Sequence, residues 1–136
     1  MPPLSQQKVI LIIDDDEYIR DSCRQALSKA GYCVETAVDG EAGLIKAGEI
    51  EPDMALVDLH LPGISGLEVM DQLDRVSPRT VRIVVTGMAH IDTVTEIIGR
   101  HRALGCLFKP FSPDELNLVV KKALDGKEDR EEINGS

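Results

Sequence analysis

Three short apolar runs in this chain of 136 residues each stop at a charged residue. The runs and the charges that follow them are residues 10–13 before Asp14, residues 54–57 before Asp58, and residues 106–108 before Lys109. Short and wholly apolar runs are typical of strands that are buried on both faces of a parallel sheet. Because the carboxyl ends of such strands share one edge of the sheet, we expect the three charges to meet in a single crevice.

The composition of the chain excludes several functions for such a crevice. A hydrophobic content of 43% over 136 residues supports one domain with a substantial core. A net charge of -9 argues against nucleic-acid binding, which requires clustered lysine and arginine. The sequence shows neither an apolar stretch long enough to span a bilayer nor the pattern of a signal peptide, which predicts a cytoplasmic protein with no membrane partner.

The number and spacing of the cysteines indicate whether they are oxidised or reduced. The chain has three cysteines, at positions 23, 33 and 106, and they show no C-x-x-C spacing. An odd number without metal-ligand spacing argues against a disulfide framework or a zinc site. We expect reduced thiols, most of them buried.

Apolar runs alternate with amphipathic stretches along the whole chain. Strands are predicted at residues 9–13, 32–38, 54–57, 81–85 and 106–108. Helices are predicted from about residue 18 to Gly31, after caps at Asp39 and Ser65, over residues 91–104, and from Ser112 onward. Beyond residue 125 the chain is polar and charged, which is compatible with either a helical extension or a flexible linker.

Five strand-helix units predict an α/β fold, a doubly wound five-stranded parallel sheet with helices on both faces. In the five-stranded arrangement with strand order 2-1-3-4-5, strands one and three are neighbours, so Asp14, Asp15 and Asp58 would converge. We expect a polar tail over residues 1–7, the folded domain over residues 8–125, and a charged tail or linker stub over residues 126–136.

Four segments in order along the chain resemble the receiver domain of two-component response regulators. They are residues 12–17 (IIDDDE), 57–66 (VDLHLPGISG), 84–87 (VVTG) and 108–111 (FKPF). The resemblance extends over residues 8–125 and implies a flavodoxin-like fold. It also implies a signalling switch that accepts a phosphoryl group on aspartate, within a histidine-to-aspartate phosphorelay, and that catalyses only its own phosphorylation and dephosphorylation.

The carboxylates themselves point to a divalent cation. Three carboxylates in one crevice repel one another, and a cation with oxygen ligands relieves that repulsion. Mg²⁺ suits a small open site because it takes few protein carboxylates and retains several waters. The resemblance implies that Asp15 and Asp58 bind Mg²⁺ directly, Asp14 through water, and His60 through its backbone carbonyl.

The same resemblance assigns the phosphoryl chemistry. Asp58 would be the nucleophile that forms an aspartyl phosphate, and Lys109 would neutralise charge on the phosphoryl oxygens. Thr86 would offer its hydroxyl to a phosphoryl oxygen. A cis peptide bond between Lys109 and Pro110 is implied as well.

The expected partners are a sensor histidine kinase or phosphotransfer protein and an output domain or downstream protein. The resemblance places the output surface on helix four, strand five and helix five, and it allows a homodimer through that surface. Cys106 departs from the family, because receivers commonly carry Tyr or Phe three residues before the lysine. A thiol cannot move as an aromatic ring does, so we expect the coupling from Thr86 to the output surface either to be weaker or to use another route.

Two alternatives remain open on sequence grounds. The spacing Asp14-x-Asp16 also resembles the start of a haloacid-dehalogenase-like phosphatase, in which Asp14 would be the nucleophile. However, Tyr18 replaces the usual Thr or Val, and no later strand ends in the acidic pair that such enzymes use for metal. The other alternative is a receiver-like interaction module that is not phosphorylated.

Overall fold

A parallel sheet with helices on both faces forms the protein. The computed structural model describes residues 7–101 and 103–135. For Met88, His101 and residues 127–135 it describes the backbone and not the side chain. The strands are β1 (Val9–Ile13), β2 (Cys33–Ala37), β3 (Met54–Asp58), β4 (Val81–Gly87) and β5 (Gly105–Lys109). The helices are α1 (Glu17–Lys29), α2 (Gly40–Ile50), α3 (Gly66–Val76), α4 (Ile91–His101) and α5 (Pro113–Gly135).

The sheet has the strand order β2-β1-β3-β4-β5, and every neighbouring pair is parallel. Ile13 at the end of β1 lies opposite Val57 of β3, so the residues that follow them leave the sheet side by side. This confirms the predicted fold and the predicted adjacency of strands one and three. It also places the switch point where the acidic residues were expected.

Side chains alternate between two cores along the central strands. Leu11 and Ile13 point to the face covered by α2, α3 and α4, whereas Ile10 and Ile12 point to the face covered by α1 and α5. All four are almost completely buried, and each such side chain contributes about 1.5–3 kcal/mol through removal from water. Continuous apolar runs are therefore what a sheet covered on both faces requires.

Local capping explains where the helices begin. The side chain of Asp39 accepts a hydrogen bond from the backbone N–H of Ala42, and Ser65 accepts one from the N–H of Glu68. Both caps match the predicted ones. Asp16 caps α1 by accepting from the N–H of Tyr18, so one of the three consecutive aspartates has a structural role.

Two element boundaries differ from the predicted ones. β4 continues past residue 85 to Gly87, because Thr86 and Gly87 still pair with β5. α4 ends at His101 and not at residue 104, since the backbone N–H of Leu104 already donates to Arg82 of β4. A short 3-10 turn over Met88–His90 links β4 to α4.

The cysteines are less buried than predicted. Cys23 is 2% exposed, whereas Cys33 and Cys106 are only partly buried because they lie on the two edge strands. Burial raises the pKa of the Cys23 thiol to about 11. All three are free thiols, as expected.

The chain ends fall partly outside the described residues. This holds for nearly all of the N-terminal tail predicted over residues 1–7 and for the side chains of most of the tail predicted over residues 126–136. The backbone of α5 is helical through Gly135, and the domain boundary at residue 125 stays a prediction. Among the described residues, no helix combines the length and the apolar character that a membrane crossing requires.

Gly66 offers a test of how tightly α3 packs against the end of β3. A Cβ at this position would contact the backbone of Asp58 and would lie 2.8 Å from the Cα of Leu59. Because these are main-chain atoms, Gly66→Ala must displace the end of β3, and we expect it to destabilise the protein by about 1–3 kcal/mol. Urea unfolding monitored by circular dichroism measures the change.

Gly48→Ala is the matched control, because Gly48 is exposed within α2 and a Cβ there would lie 3.8 Å from Val76. Replacing this helical glycine should stabilise the protein by about 0.5–1 kcal/mol. Equal effects of the two substitutions would contradict the packing argument.

Candidate functional site

The sheet brings the predicted site residues to one edge. Asp14 follows β1, and Asp58 is the last residue of the neighbouring strand β3. Thr86 and Lys109 lie on the adjacent strands β4 and β5, where Thr86 pairs with Phe108 and Gly87 pairs with Lys109. The side chains of Asp14, Asp58 and Lys109 therefore meet at this edge of the sheet, and Thr86 lies on the strand between β3 and β5.

Asp14 is held by contacts on both carboxylate oxygens. Its Oδ1 accepts a hydrogen bond of 2.9 Å from the backbone N–H of Asp16, and its Oδ2 lies 3.0 Å from Nζ of Lys109. The backbone carbonyl of Asp14 accepts a 2.8 Å hydrogen bond from the guanidinium of Arg20. These contacts fix the position of the carboxylate, and the residue is only 2% exposed.

Asp58 is constrained in a similar way. Its Oδ1 accepts a hydrogen bond of 3.0 Å from the backbone N–H of His60, and its Oδ2 lies 3.1 Å from Nζ of Lys109. The residue is 5% exposed. The backbone N–H of His60 thus contacts the site, and the role of its carbonyl as a metal ligand, which the resemblance implied, stays a prediction.

Lys109 joins the two buried carboxylates. One ammonium group contacts Asp14 and Asp58 at 3.0 and 3.1 Å. Burial alone would lower the pKa of Lys109, but the two carboxylates outweigh burial and raise it, so the ammonium stays charged. The peptide bond between Lys109 and Pro110 is cis, as the resemblance implied.

The crevice carries more negative than positive charge. Asp14, Asp15 and Asp58 each offer a carboxylate oxygen within 4.8 Å of the others, and Asp15 is exposed. Burial raises the pKa of Asp14, and the Asp16 N–H and Lys109 offset only part of that rise. Three carboxylates, against the ammonium of Lys109 and the guanidinium of Arg20 at the Asp14 carbonyl, therefore leave an excess of negative charge that a cation would relieve.

The donor atoms at this edge fit a hard divalent cation. Three clustered carboxylates, one of them open to solvent, supply only oxygen ligands, and hard cations such as Mg²⁺ bind oxygen ligands of this kind. The carboxylate of Asp15 is exposed, so an ion bound to it can keep several of its water ligands. The geometry thus agrees with the metal site expected from sequence.

Thr86 is the least satisfied polar side chain of the site. The residue is 2% exposed, and its Oγ1 has no hydrogen-bond partner among the described residues. A buried hydroxyl without a partner costs about 1–3 kcal/mol. The hydroxyl is thus a donor that remains available to an acceptor oxygen.

Sequence reasoning missed Arg20 as a contact of the site. Arg20 lies on α1, one turn after the capping residue Asp16, and reaches back to the Asp14 carbonyl. Its spacing of six residues from Asp14 carries no distinctive pattern. Only the helix geometry brings the two residues together.

Residues 10–121 match the family model of the response regulator receiver domain. The chain is 32% identical over 124 residues to the regulatory protein AtoC of Escherichia coli, covering 91% of this chain and 27% of AtoC. It is 31% identical over 118 residues to the sporulation initiation phosphotransferase F of Bacillus subtilis, covering 85% of this chain and 92% of that protein. It spans from about a quarter to just over half of the length of the larger regulators that it matches.

Solved structures agree with these sequence matches. A CheY-like receiver domain protein of Methanospirillum hungatei superposes with a TM-score of 0.85 at 34% identity, covering 92% of this chain and 99% of that chain. NtrX of Brucella abortus superposes with a TM-score of 0.89 at 29% identity, covering 96% of this chain and 29% of that chain. The chain therefore belongs to the response regulator receiver domain family, whose members are the phosphoacceptor signalling switches of two-component systems.

Proposed function

We propose that Asp58 is the phosphoryl acceptor of this switch. The supporting observation is the position of Lys109, whose ammonium contacts Asp58 at 3.1 Å and Asp14 at 3.0 Å. A carboxylate held beside a fixed cation is suited to attack a phosphoryl group, because the cation offsets the charge that the group brings. The bond between phosphorus and the donor breaks, the donor leaves with that electron pair, and the new bond joins a carboxylate oxygen of Asp58 to phosphorus.

Mg²⁺ is the cofactor that we assign to the acidic crevice. Asp15 and Asp58 would bind the ion directly, Asp14 through water, and His60 through its backbone carbonyl. The ion supplies charge neutralisation for the phosphoryl oxygens when it is bound. The exposed Asp15 carboxylate leaves that side of the crevice open to water and to the phosphodonor.

Thr86 and Lys109 carry the remaining roles. Lys109 would exchange a carboxylate contact for a phosphoryl oxygen, and the Thr86 hydroxyl would donate to another phosphoryl oxygen. That hydrogen bond would satisfy a hydroxyl that has no partner among the described residues. Because Thr86 lies just before the turn into α4, its engagement would bias the arrangement of that turn and helix.

The output surface in this proposal consists of α4, β5 and α5. Cys106 on β5 is partly buried and packs against the core beneath α2, α3 and α4. The small thiol fills the position that an aromatic ring holds in many receivers, so coupling would pass through the backbone of the β4–α4 turn. A sensor histidine kinase or a phosphotransfer protein would supply the phosphoryl group. An output domain, a downstream protein or a second copy of the chain would read the surface.

The other functions considered from sequence are less well supported. The family match over residues 10–121 and the 2-1-3-4-5 sheet favour a receiver over a phosphatase that uses Asp14 as nucleophile. A competent set of acceptor, cation and acidic residues favours phosphorylation over a passive interaction module. We therefore propose a regulatory domain that catalyses only its own phosphorylation and dephosphorylation.

Phosphorylation at Asp58 can be tested by intact mass. Incubation with acetyl phosphate and Mg²⁺ should add one phosphoryl group to the wild-type chain and none to Asp58→Asn, because the amide is not a nucleophile for phosphorus. The matched control is Asp53→Asn, which changes an aspartate outside the crevice. An adduct that persists in Asp58→Asn, or turnover of phosphate esters that depends on Asp14, would refute the assignment.

The clustered carboxylates of the acidic crevice should lower the free energy of unfolding when no metal is bound, and Mg²⁺ binding should raise it. The pKa of Asp14 is raised in the folded state, so its stabilising contribution exists below the unfolded pKa of about 3.9 and is lost as pH rises through the folded pKa. At pH 7 in EDTA, Asp14→Asn should therefore raise the free energy of unfolding. Added Mg²⁺ should stabilise the wild type more than Asp14→Asn.

Urea unfolding with EDTA and with Mg²⁺, at pH 7 and again at pH 3, measures these differences. At pH 3 the advantage of the asparagine should shrink, because Asp14 is then protonated in the wild type. A variant that is no more stable than the wild type at pH 7 in EDTA would contradict the electrostatic account.

Thr86→Val tests the unpaired hydroxyl. Valine has nearly the same shape but no buried polar atom to satisfy, so the unphosphorylated variant should gain about 1 kcal/mol in stability. Phosphorylation, or beryllofluoride as its analogue, should perturb α4 amide resonances in the wild type and much less in Thr86→Val. Thr86→Ser, which keeps the hydroxyl, should retain the response. A full response in Thr86→Val would exclude the hydroxyl from the coupling.

A further inference from the structure

Two histidine rings lie against each other beside the phosphoryl crevice. His60 follows Asp58 by two residues, in the loop after β3, and His90 closes the 3-10 turn after β4. Their ring centroids are 4.3 Å apart, and the ring planes are tilted by 57°. The pair joins two loops that come from neighbouring strands.

Packing alone does not explain this contact. His60 is exposed and His90 is only partly buried, so the rings gain little from removal from water. Neither ring has a hydrogen bond or an ion pair with another side chain in the described part of the chain. Their imidazole nitrogens are thus open to a ligand.

The surroundings favour a cationic ligand. The crevice beside His60 contains three clustered carboxylates, which outnumber the positive charges of Lys109 and Arg20, and the resulting negative potential attracts cations. The two sets of donor atoms nevertheless differ in kind. Imidazole nitrogen suits zinc and similar transition metals, whereas the carboxylate oxygens suit magnesium.

We propose that His60 and His90 form a second cation site, separate from the acidic crevice, which binds Zn²⁺ between two imidazole nitrogens. A nitrogen-to-zinc bond is about 2.0–2.1 Å long, so the two rings, whose centroids are 4.3 Å apart, must turn until one nitrogen of each faces the ion. In the described part of the chain, the acidic trio is the one group of three or more His, Cys, Asp or Glu ligands within mutual reach. Water or an oxygen of a bound phosphodonor completes the zinc coordination.

Zinc at this position has a direct consequence for the neighbouring site. It links the loop after β3, which follows Asp58, to the turn after β4, which follows Thr86. A bridged pair restrains both loops and occupies space beside Asp58. Zn²⁺ therefore inhibits phosphorylation under conditions in which Mg²⁺ supports it, and this inhibitory effect rests on the function proposed above.

Isothermal titration with Zn²⁺ tests the site without any phosphorylation. Wild type should bind one equivalent whose affinity falls at least about tenfold in His60→Ala and in His90→Ala, because each variant removes one of two ligands. His101→Ala is the matched histidine control and should bind as the wild type does. Asp15→Asn should also retain this equivalent, because that variant weakens only the acidic crevice.

Two results would overturn the proposal. One is a zinc affinity that does not change in either His60→Ala or His90→Ala, and the other is a loss of zinc binding in Asp15→Asn with both histidines intact. Urea midpoints of the variants confirm folding, and substitutions at exposed positions such as His60 and Asp15 should shift stability by no more than about 0.5 kcal/mol.

A second measurement addresses regulation. With acetyl phosphate and Mg²⁺, each variant's phosphorylation rate is compared with and without Zn²⁺. Zn²⁺ should slow phosphorylation of the wild type several-fold, and it should not change the phosphorylation rate of His90→Ala. Equal inhibition in both would overturn the regulatory effect. Absence of any phosphorylation would instead refute the function proposed above, while the titration would still decide whether the zinc site exists.

Discussion

The contact of one ammonium group with two buried carboxylates is the constraint on which the site depends. Asp14 and Asp58 are almost fully buried, and without Lys109 two negative charges would face each other in a poorly solvated crevice. The sheet supplies the geometry, because the ends of β1, β3 and β5 stand at one edge. The burial that makes the carboxylates costly is the same burial that makes a nearby cation effective.

Much of the fold could be predicted because buried parallel strands leave a strong pattern. Residues 10–13 and 54–57 are apolar at every position, and a sheet covered on both faces explains that. The caps at Asp39 and Ser65 were predictable because a capping side chain acts within three residues. The end of α4 was not, since it depends on a hydrogen bond from Leu104 to the neighbouring strand.

Some features of the site could likewise be predicted from local sequence, and others could not. Its carboxylates and Lys109 stand directly after strand-like runs, so sequence alone located them. Two features are different because they depend on how helix and strand meet in space. They are the contact of Arg20 with the Asp14 carbonyl and the Thr86 hydroxyl, which has no partner in the described part of the chain. Edge position likewise left Cys33 and Cys106 partly open, although their apolar neighbours suggested burial.

The length of α5 turns a small rotation at the sheet into a large displacement elsewhere. Twenty-three residues of helix measure about 34 Å at 1.5 Å per residue, and Leu116, Val120, Ala123 and Leu124 in its N-terminal half pack in the core. A tilt of about 10° around that anchored part would move the far end of the helix by several ångströms. Since the packed part of α5 contacts β5, a small rotation at this edge of the sheet would appear as a larger displacement at the C-terminal end of the helix.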